Sequence, residues 1–346
     1  MNNLSARNRR VLLALSCSCL LLVAANLFWG TASIPAGETM RILLGKGAAQ
    51  ESWRFIVLHS RLPQALTALL AGMGLATAGL LLQTVFNNPL AGPSVLGINT
   101  GASLGVAIVM LLSGSALGHG ITLSSGYFTV IIGAFLGASA VLALIIFFST
   151  FVNSNIMLLI VGIMVGYLTS SLISLLNFFA SADGVFSYMV WGMGDFSSVS
   201  LTQLRWFAPL VLSGVCGGLL LIKPLNALLL GERYAANLGV NVRFVRICLL
   251  GVTGLLTAVI TAFCGPVAFI GLAVPHMARL SLGESTHTLL LPATLLFGGA
   301  AALLCNLCCS LPGINSILPL NAITPIVGAP VILYILLNRK HIHYFN

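Results

Sequence analysis

An all-α polytopic membrane protein of about ten transmembrane helices is the fold class that this 346-residue sequence predicts. Two observations carry it. Apolar residues make up 58% of the chain and charged residues only 6%, whereas an ordinary soluble domain carries roughly 25% charged residues to build its solvated shell. The apolar residues are also gathered into runs of about 20, the length an α-helix needs to cross ~30 Å of hydrocarbon. A pair of soluble domains is excluded by the first observation alone.

The runs occupy, to within a few residues, 11–29, 62–83, 94–113, 126–149, 156–180, 204–222, 244–263, 288–309 and 322–337. The first follows Arg7, Arg9 and Arg10 without a small-x-small cleavage site behind it, so it reads as an uncleaved span. The next runs are ordered by glycine: Gly97, Gly101 and Gly105, then Gly133 with Gly137, Gly162 with Gly166, and Gly214 with Gly218. A spacing of four puts each set on one helix face, where a neighbouring backbone can approach closely. Packing within the subunit is the reading favoured over a dimer contact. A shorter tenth run, 265–282, holds Pro266, Pro275, His276 and Arg279.

Charge decides whether the tenth run crosses. With the N-terminus in the cytoplasm and 265–282 crossing, the inside collects Arg7, Arg9, Arg10, Lys223, Arg233, Arg243, Arg246, Arg279, Arg339 and Lys340. Arg41, Lys46, Arg54, Arg61 and Arg205 stay outside. Cytoplasmic loops carry the excess of basic residues, so ten spans with both termini cytoplasmic is the expected topology. An internal echo agrees. LTALLAGMGLATAG (66–79) followed by GPSVLGI (92–98) resembles LLGVTGLLTAV (249–259) followed by GPVAFIGL (265–272), as in the inverted repeats of transporters.

The net charge of +9 therefore reports orientation in the bilayer rather than a nucleic-acid partner. The eight cysteines lie in or at the ends of apolar runs, where cysteine is a small packing residue, and no metal site is expected. None of the six acids falls inside any of the nine longer runs, which argues against a carboxylate relay and so against an ion-coupled secondary transporter, the alternative function. His276, beside Pro275 at a membrane boundary, reads as structural rather than catalytic. Gly45-Lys46 lacks the earlier glycine of a phosphate loop. No catalytic constellation is visible, so the chain is not expected to be an enzyme or to bind a cofactor of its own.

Two polar stretches stand out. The inside segment 223–246 reads as a short helical hairpin. Leu225, Leu228, Leu229 and Leu230 form an amphipathic turn, Gly231 ends it, and Glu232–Leu238 make a second short helix capped by Gly239. Such a hairpin suits docking into another protein, while composition alone allows an ordinary surface loop. The outside segment 31–61 sets Arg41, Lys46, Arg54 and Arg61 against Glu38 and Glu51, a net positive ledge suited to an acidic partner.

Six motifs, in order and nearly end to end, resemble the FecCD-type permeases of bacterial ABC importers. RLPQALTALLAG (61–72) resembles the family's R-L-P-R-x-L-x-x-x-L-x-G, and NNPLAGPSVLGINTGA (87–102) its N-P-L-A-x-P-x-x-L-G-x-x-x-G-A. MVWGMGDFSSVS (189–200) is similar to W-x-x-G-S-L, and GERYAANLGVNV (231–242) to the coupling-loop pattern G-x-x-x-A-x-x-L-G-V. CGPVAFIGLAVPHMARL (264–280) is similar to G-P-I-x-F-I-G-L-x-x-P-H-x-x-R, and VGAPVILYILLNRK (327–340) to the closing G-A-P-x-F-x-x-L-L.

The resemblance implies the type II ABC importer permease architecture: one transmembrane permease domain over 1–346, in the bacterial inner membrane, paired with a second copy. It implies a cytoplasmic ATPase dimer, which holds the ATP and Mg, and an external substrate-binding protein. The cargo is a large metal chelate: iron–siderophore, vitamin B12 or haem. By the same resemblance Leu230, Gly231, Glu232, Arg233, Ala235, Ala236, Leu238, Gly239 and Val240 couple to the ATPase. Asn88, Pro89 and Leu90, with Ser154 and Asn155, close the cytoplasmic exit, and Arg61 matches an arginine that docks on the binding protein. Four positions depart from the family pattern. The second arginine of R-L-P-R is Gln64, a ninth-span aspartate is Asn306, and the basic residue after it is Ser310. The glycine of L-P-x-G is Asn321.

Overall fold

The computed structural model describes residues 6–47, 49–116, 123–152, 154–311 and 318–337, and every element below is drawn from these. All regular structure among them is helical. In chain order the helices are α1 (Ala6–Phe28), α2 (Ala36–Leu43), α3 (Glu51–Phe55), α4 (Leu62–Val85), α5 (Ile98–Ala116), α6 (Leu123–Phe151), α7 (Asn155–Phe179) and α8 (Ala182–Gly192). They continue as α9 (Leu201–Leu220), α10 (Ile222–Leu228), α11 (Glu232–Asn237), α12 (Val242–Cys264), α13 (Ile270–Leu282), α14 (His287–Cys309) and α15 (Leu320–Leu337). A π-helical stretch, Ile56–Arg61, joins α3 to α4, so Glu51–Val85 is one 35-residue rod.

Seven helices among the described residues are long and apolar enough to cross a membrane: α1, the Glu51–Val85 rod, α6, α7, α9, α12 and α14. Shorter apolar stretches, Ile98–Leu111 and Leu320–Tyr334, lie in α5 and α15. Nine of the expected runs thus coincide with helices. The tenth does not coincide as a whole. Gly265–Phe269 form no helix and α13 has 13 residues, about 20 Å at 1.5 Å per residue, which is short of the hydrocarbon thickness. The span expected at 265–282 is therefore a broken element, with Pro266 in the break and Phe269 at φ 66° opening the helix.

The core is α4. Of its most apolar window 78% is buried, against 17% for α7, because α4 packs on α14, α12, α13 and α9 at once. Its glycines allow this: a Cβ on Gly72 would overlap the Gly298 carbonyl of α14, and one on Gly79 the Gly271 carbonyl of α13. The glycine stripes read from the sequence do the same for α5, whose Gly101 and Gly105 meet Gly137 and Gly133 of α6. They serve packing within the chain, as expected.

Contacts define two ends of the bundle. At one end Arg7 donates to the Leu282 carbonyl and Asn8 Nδ2 to Glu284 Oε1 (2.7 Å). Thr84 and Asn226 both meet His287 at the same end. The start of α1, the end of α4, α10, the end of α13 and the start of α14 are thus together. Arg61 and α2 lie at the other. The echoing helices α4 and α12 pack side by side. Since α4 ends and α12 begins at the end of the bundle that holds α10 and α11, they run in opposite directions, as the inverted repeat predicts. The breaks that follow them meet: Pro93 and Ser94 face Val267, Ala268 and Phe269 across a cavity of about 120 Å³. Arg339 and Lys340, counted in the charge asymmetry, lie outside the described residues.

Candidate coupling hairpin and gate

The hairpin forms for local reasons. α10 begins as α9 ends, and Gly231 at φ 100° turns the chain into α11. Gly239 at φ 84° ends α11: its N–H donates to the Ala236 carbonyl (2.9 Å) and the next, Val240, to Ala235 (3.1 Å). That pairing is a Schellman close, which needs a left-handed residue at this position. Asn241 then caps α12 by accepting from the Phe244 N–H at 3.0 Å. Leu225 and Ala235 point inward and are fully buried, while Leu230, Tyr234 and Leu238 are more than half exposed. Arg233, Ala236 and Gly239 are exposed beside them, and Val240 is half-buried. The result is an apolar, cationic face on a rigid mount, so the expected hairpin is present with both glycines where they are needed.

Two sets of polar contacts fix that mount. Glu232 Oε1, in the first turn of α11, accepts from Arg246 of α12 at 2.8 Å and from Asn155 Nδ2 at 2.9 Å. Asn155 is the first residue of α7, with Ser154 as its cap accepting from Met157 N–H. On α10, Asn226 Oδ1 accepts from the His287 backbone N–H (2.8 Å) and its Nδ2 donates to Thr288 Oγ1 (3.2 Å). The His287 ring lies 2.8 Å from Thr84 Oγ1 in the last turn of α4.

Asn88, Pro89 and Leu90 follow α4 in a tight turn in which Asn88 Oδ1 accepts from the Leu90 N–H at 2.9 Å. His276 Nε2 donates to the Pro89 carbonyl at 2.7 Å, the structural role expected of it. Beside this turn, Gln83 accepts from Arg279 (2.6 Å) and donates to the Leu272 carbonyl (3.2 Å). The structure thus brings Asn155 to the hairpin directly and seats Asn88–Leu90 on α13. The two parts of the expected gate have different holders.

Arg61 is not where a docking residue should be. It is buried, and its guanidinium donates to the carbonyls of Leu27 (2.9 Å), Phe28 (3.1 Å) and Ala32. The C-terminal carbonyls of α1 are unpaired by helix geometry and carry the negative end of its dipole, so they draw in the nearest cation. Arg41, Lys46 and Arg54 remain exposed on this end, with Arg41 paired to Glu38 at 2.9 Å.

Three of the four departures from the family pattern form one cluster. Gln64 Nε2 donates to Asn306 Oδ1 (3.0 Å), Asn306 Nδ2 to Asn26 Oδ1 (2.7 Å), and Ser310 Oγ to the Asn306 carbonyl (3.1 Å). The fourth, Asn321, repairs the break before α13. Its Nδ2 donates to the carbonyls of Pro266 (2.6 Å) and Gly192 (3.1 Å), and its Oδ1 accepts from the Ala268 N–H (3.2 Å). Non-helical backbone at membrane depth persists only when satisfied in this way. Sequence reasoning missed Asn226, His287 and Thr84; their only signal is polarity at the end of an apolar run. The acids stand at helix starts and in loops: Glu38 in α2, Glu51 at the start of α3, Asp183 in the first turn of α8, Glu232 in α11, and Asp195 and Glu284 between helices.

Comparison with known proteins agrees with this geometry. The model of the FecCD transport family matches residues 18–338. The vitamin B12 import system permease protein BtuC of Klebsiella pneumoniae is 34% identical over 96% of this chain and 95% of its own. The hemin transport system permease protein HmuU of Yersinia pestis is 30% identical over 96% and 98%. A solved structure described as an inward-facing conformation of a metal-chelate type ABC transporter superposes with a TM-score of 0.81 at 28% identity, covering 96% of this chain and 99% of that one.

Proposed function

Because the chain belongs to the FecCD transport family, we propose that it is the membrane-spanning permease of an ABC importer for a large metal chelate: cobalamin, haem or an iron–siderophore. The cargo class is supported by the vitamin B12 and hemin permeases it resembles. The observation that carries the mechanism is the hairpin, an exposed face of Leu230, Arg233, Tyr234, Ala236 and Leu238 held between α7, α12 and α14. A cytoplasmic ATPase dimer docks there, hydrolyses the ATP, and moves the hairpin. The bundle, paired with a second copy along sparsely covered helices such as α7, then opens to one side at a time. Both termini are cytoplasmic in the bacterial inner membrane. A binding protein delivers cargo at the opposite end, where Arg41, Lys46 and Arg54 are exposed cations; Arg61 acts there by holding α1 in place.

Ala236→Trp tests this reading in proteoliposomes containing the permease with its co-purified ATPase and binding protein. Ala236 is exposed while Ala235 is fully buried, so a tryptophan at 236 burdens only the docked groove, by about 1–3 kcal/mol. Insertion and dimerisation should be normal, with transport and cargo-stimulated ATPase activity lost together. Wild-type transport with the ATPase bound would show that the hairpin is only a loop.

A further inference from the structure

We propose that the hairpin drives the two parts of the gate through two separate polar tethers, one running from Asn226 through His287 and Thr84, the other from Glu232 to Asn155. The proposal rests on the permease reading above and goes beyond it by assigning positioning roles to residues outside the docking face.

The first tether starts on α10. Asn226 Oδ1 holds the first backbone N–H of α14 and lies 3.2 Å from His287 Nδ1, and the other ring nitrogen reaches Thr84 on α4. Thr84 follows Gln83, which accepts from Arg279 on α13. Arg279 is one turn beyond His276, which holds the Pro89 carbonyl in the gate turn. Gln83, His287, His276, Thr84 and Arg279 are all 5% exposed or less. Asn226 itself is half-buried, but the groups beyond it cannot exchange a partner for water, so a displacement of α10 either carries α14, α4 and α13 with it or leaves the His287 side unpaired. The second tether starts on α11, beyond the φ 100° turn at Gly231, and reaches α7 in one step through Asn155.

A discrete switch point lies within the first tether. Thr84 has one hydroxyl proton and two acceptors in reach: the Leu80 carbonyl at 3.0 Å and His287 Nε2 at 2.8 Å. If it donates to Leu80, His287 must donate from Nε2 and its Nδ1 cannot donate to Asn226. If it donates to His287, Nδ1–H points at Asn226 Oδ1. The two neutral arrangements differ in whether α10 is bonded to the imidazole. With α10 in place only the second pairs Nδ1 with Asn226 Oδ1, while the first sets two lone pairs against each other at 3.2 Å and is relieved when α10 moves away. The tautomer therefore follows the position of α10.

The test uses the full permease–ATPase complex with the eight native cysteines replaced, and one reporter cysteine at a time. Leu90→Cys reports the gate turn and Ile156→Cys the start of α7; both parent residues are exposed, at 40% and 71%. Labelling by a water-soluble maleimide is measured with and without a non-hydrolysable ATP analogue. In the parent both rates should respond to nucleotide, by roughly 5- to 150-fold for couplings of usual size. Asn226→Ala should abolish the response at 90 and keep it at 156, and Asn155→Ala should do the reverse. Thr84→Val, nearly the same shape, should repeat the Asn226→Ala pattern and stands in if that variant folds poorly. Loss at both reporters in every variant, or at neither, overturns the two-tether proposal while leaving the permease reading intact. A parent complex silent at both reporters overturns both.

Discussion

Asn306→Asp restores the acid that the family pattern carries at this position, yet the structure says it should be harmful on its own. Asn306 is 4% exposed and donates its amide to Asn26 Oδ1 at 2.7 Å. Aspartate would remove that donor and set a carboxylate oxygen against a carbonyl oxygen. Asn26 cannot turn round to help, because its own Nδ2 already donates to the Leu22 (2.8 Å) and Leu303 (3.1 Å) carbonyls. A buried charge without a partner costs roughly 3–5 kcal/mol. Gln64→Arg alone keeps a donor to Asn306 Oδ1 but brings an uncompensated charge to a half-buried site, so the cost is lower, about 1–3 kcal/mol. Together they form an ion pair across the 3.0 Å contact now made by the two amides. The double variant should therefore be more stable than the sum of the single losses by about 2 kcal/mol or more, with part of the Asp–Asn26 repulsion remaining. Denaturation of the purified permease in detergent, analysed as a double-mutant cycle, measures this. A coupling below about 0.5 kcal/mol, the scatter expected of independent sites, would refute the claim that positions 64 and 306 act as a unit.

Arg61→Met should destabilise the permease by about 2–4 kcal/mol, since the Leu27, Phe28 and Ala32 carbonyls lose their donor, and should leave binding-protein affinity unchanged once folded. Arg54→Glu should instead weaken that affinity by about 1 kcal/mol in a salt-dependent manner; calorimetric titration in two salt concentrations separates the two. Asn321→Ala leaves the Pro266 carbonyl and the Ala268 N–H without their side-chain partner, and a loss of about 1–3 kcal/mol should appear as faster hydrogen exchange confined to the α12–α13 break.

Most of the fold was legible because the bilayer imposes it. A helix that must hide its backbone from lipid needs a long apolar run, and nine such runs fall on helices. The glycine stripes were legible for a related reason: spacing of four on a helix has one geometric consequence, and Gly101 with Gly137 and Gly105 with Gly133 realise it. The break at Gly265–Phe269 was visible only as proline in a short run. Its length depends on whether something satisfies the unwound backbone, and that something is Asn321, more than fifty residues away.

The site was legible where its logic is local. Gly231, Gly239 and the short amphipathic turns specify the hairpin within about twenty residues of sequence, and the structure matches them. Reading failed where a residue's meaning lies in a distant partner. Arg61 sits among cations on a ledge and looks like one of them; the carbonyls of Leu27 and Phe28, 34 and 33 residues earlier, decide otherwise. Thr84 and His287, 203 residues apart, each look like an incidental polar residue at the end of a span. Gln64, Asn306 and Ser310 look like three separate losses of charge until they are found hydrogen-bonded to one another. Their meaning lies in the contacts they share: Gln64 and Asn306 bond side chain to side chain, and Asn306 in turn bonds Asn26, so replacing any one of them leaves a buried amide of the others without its partner.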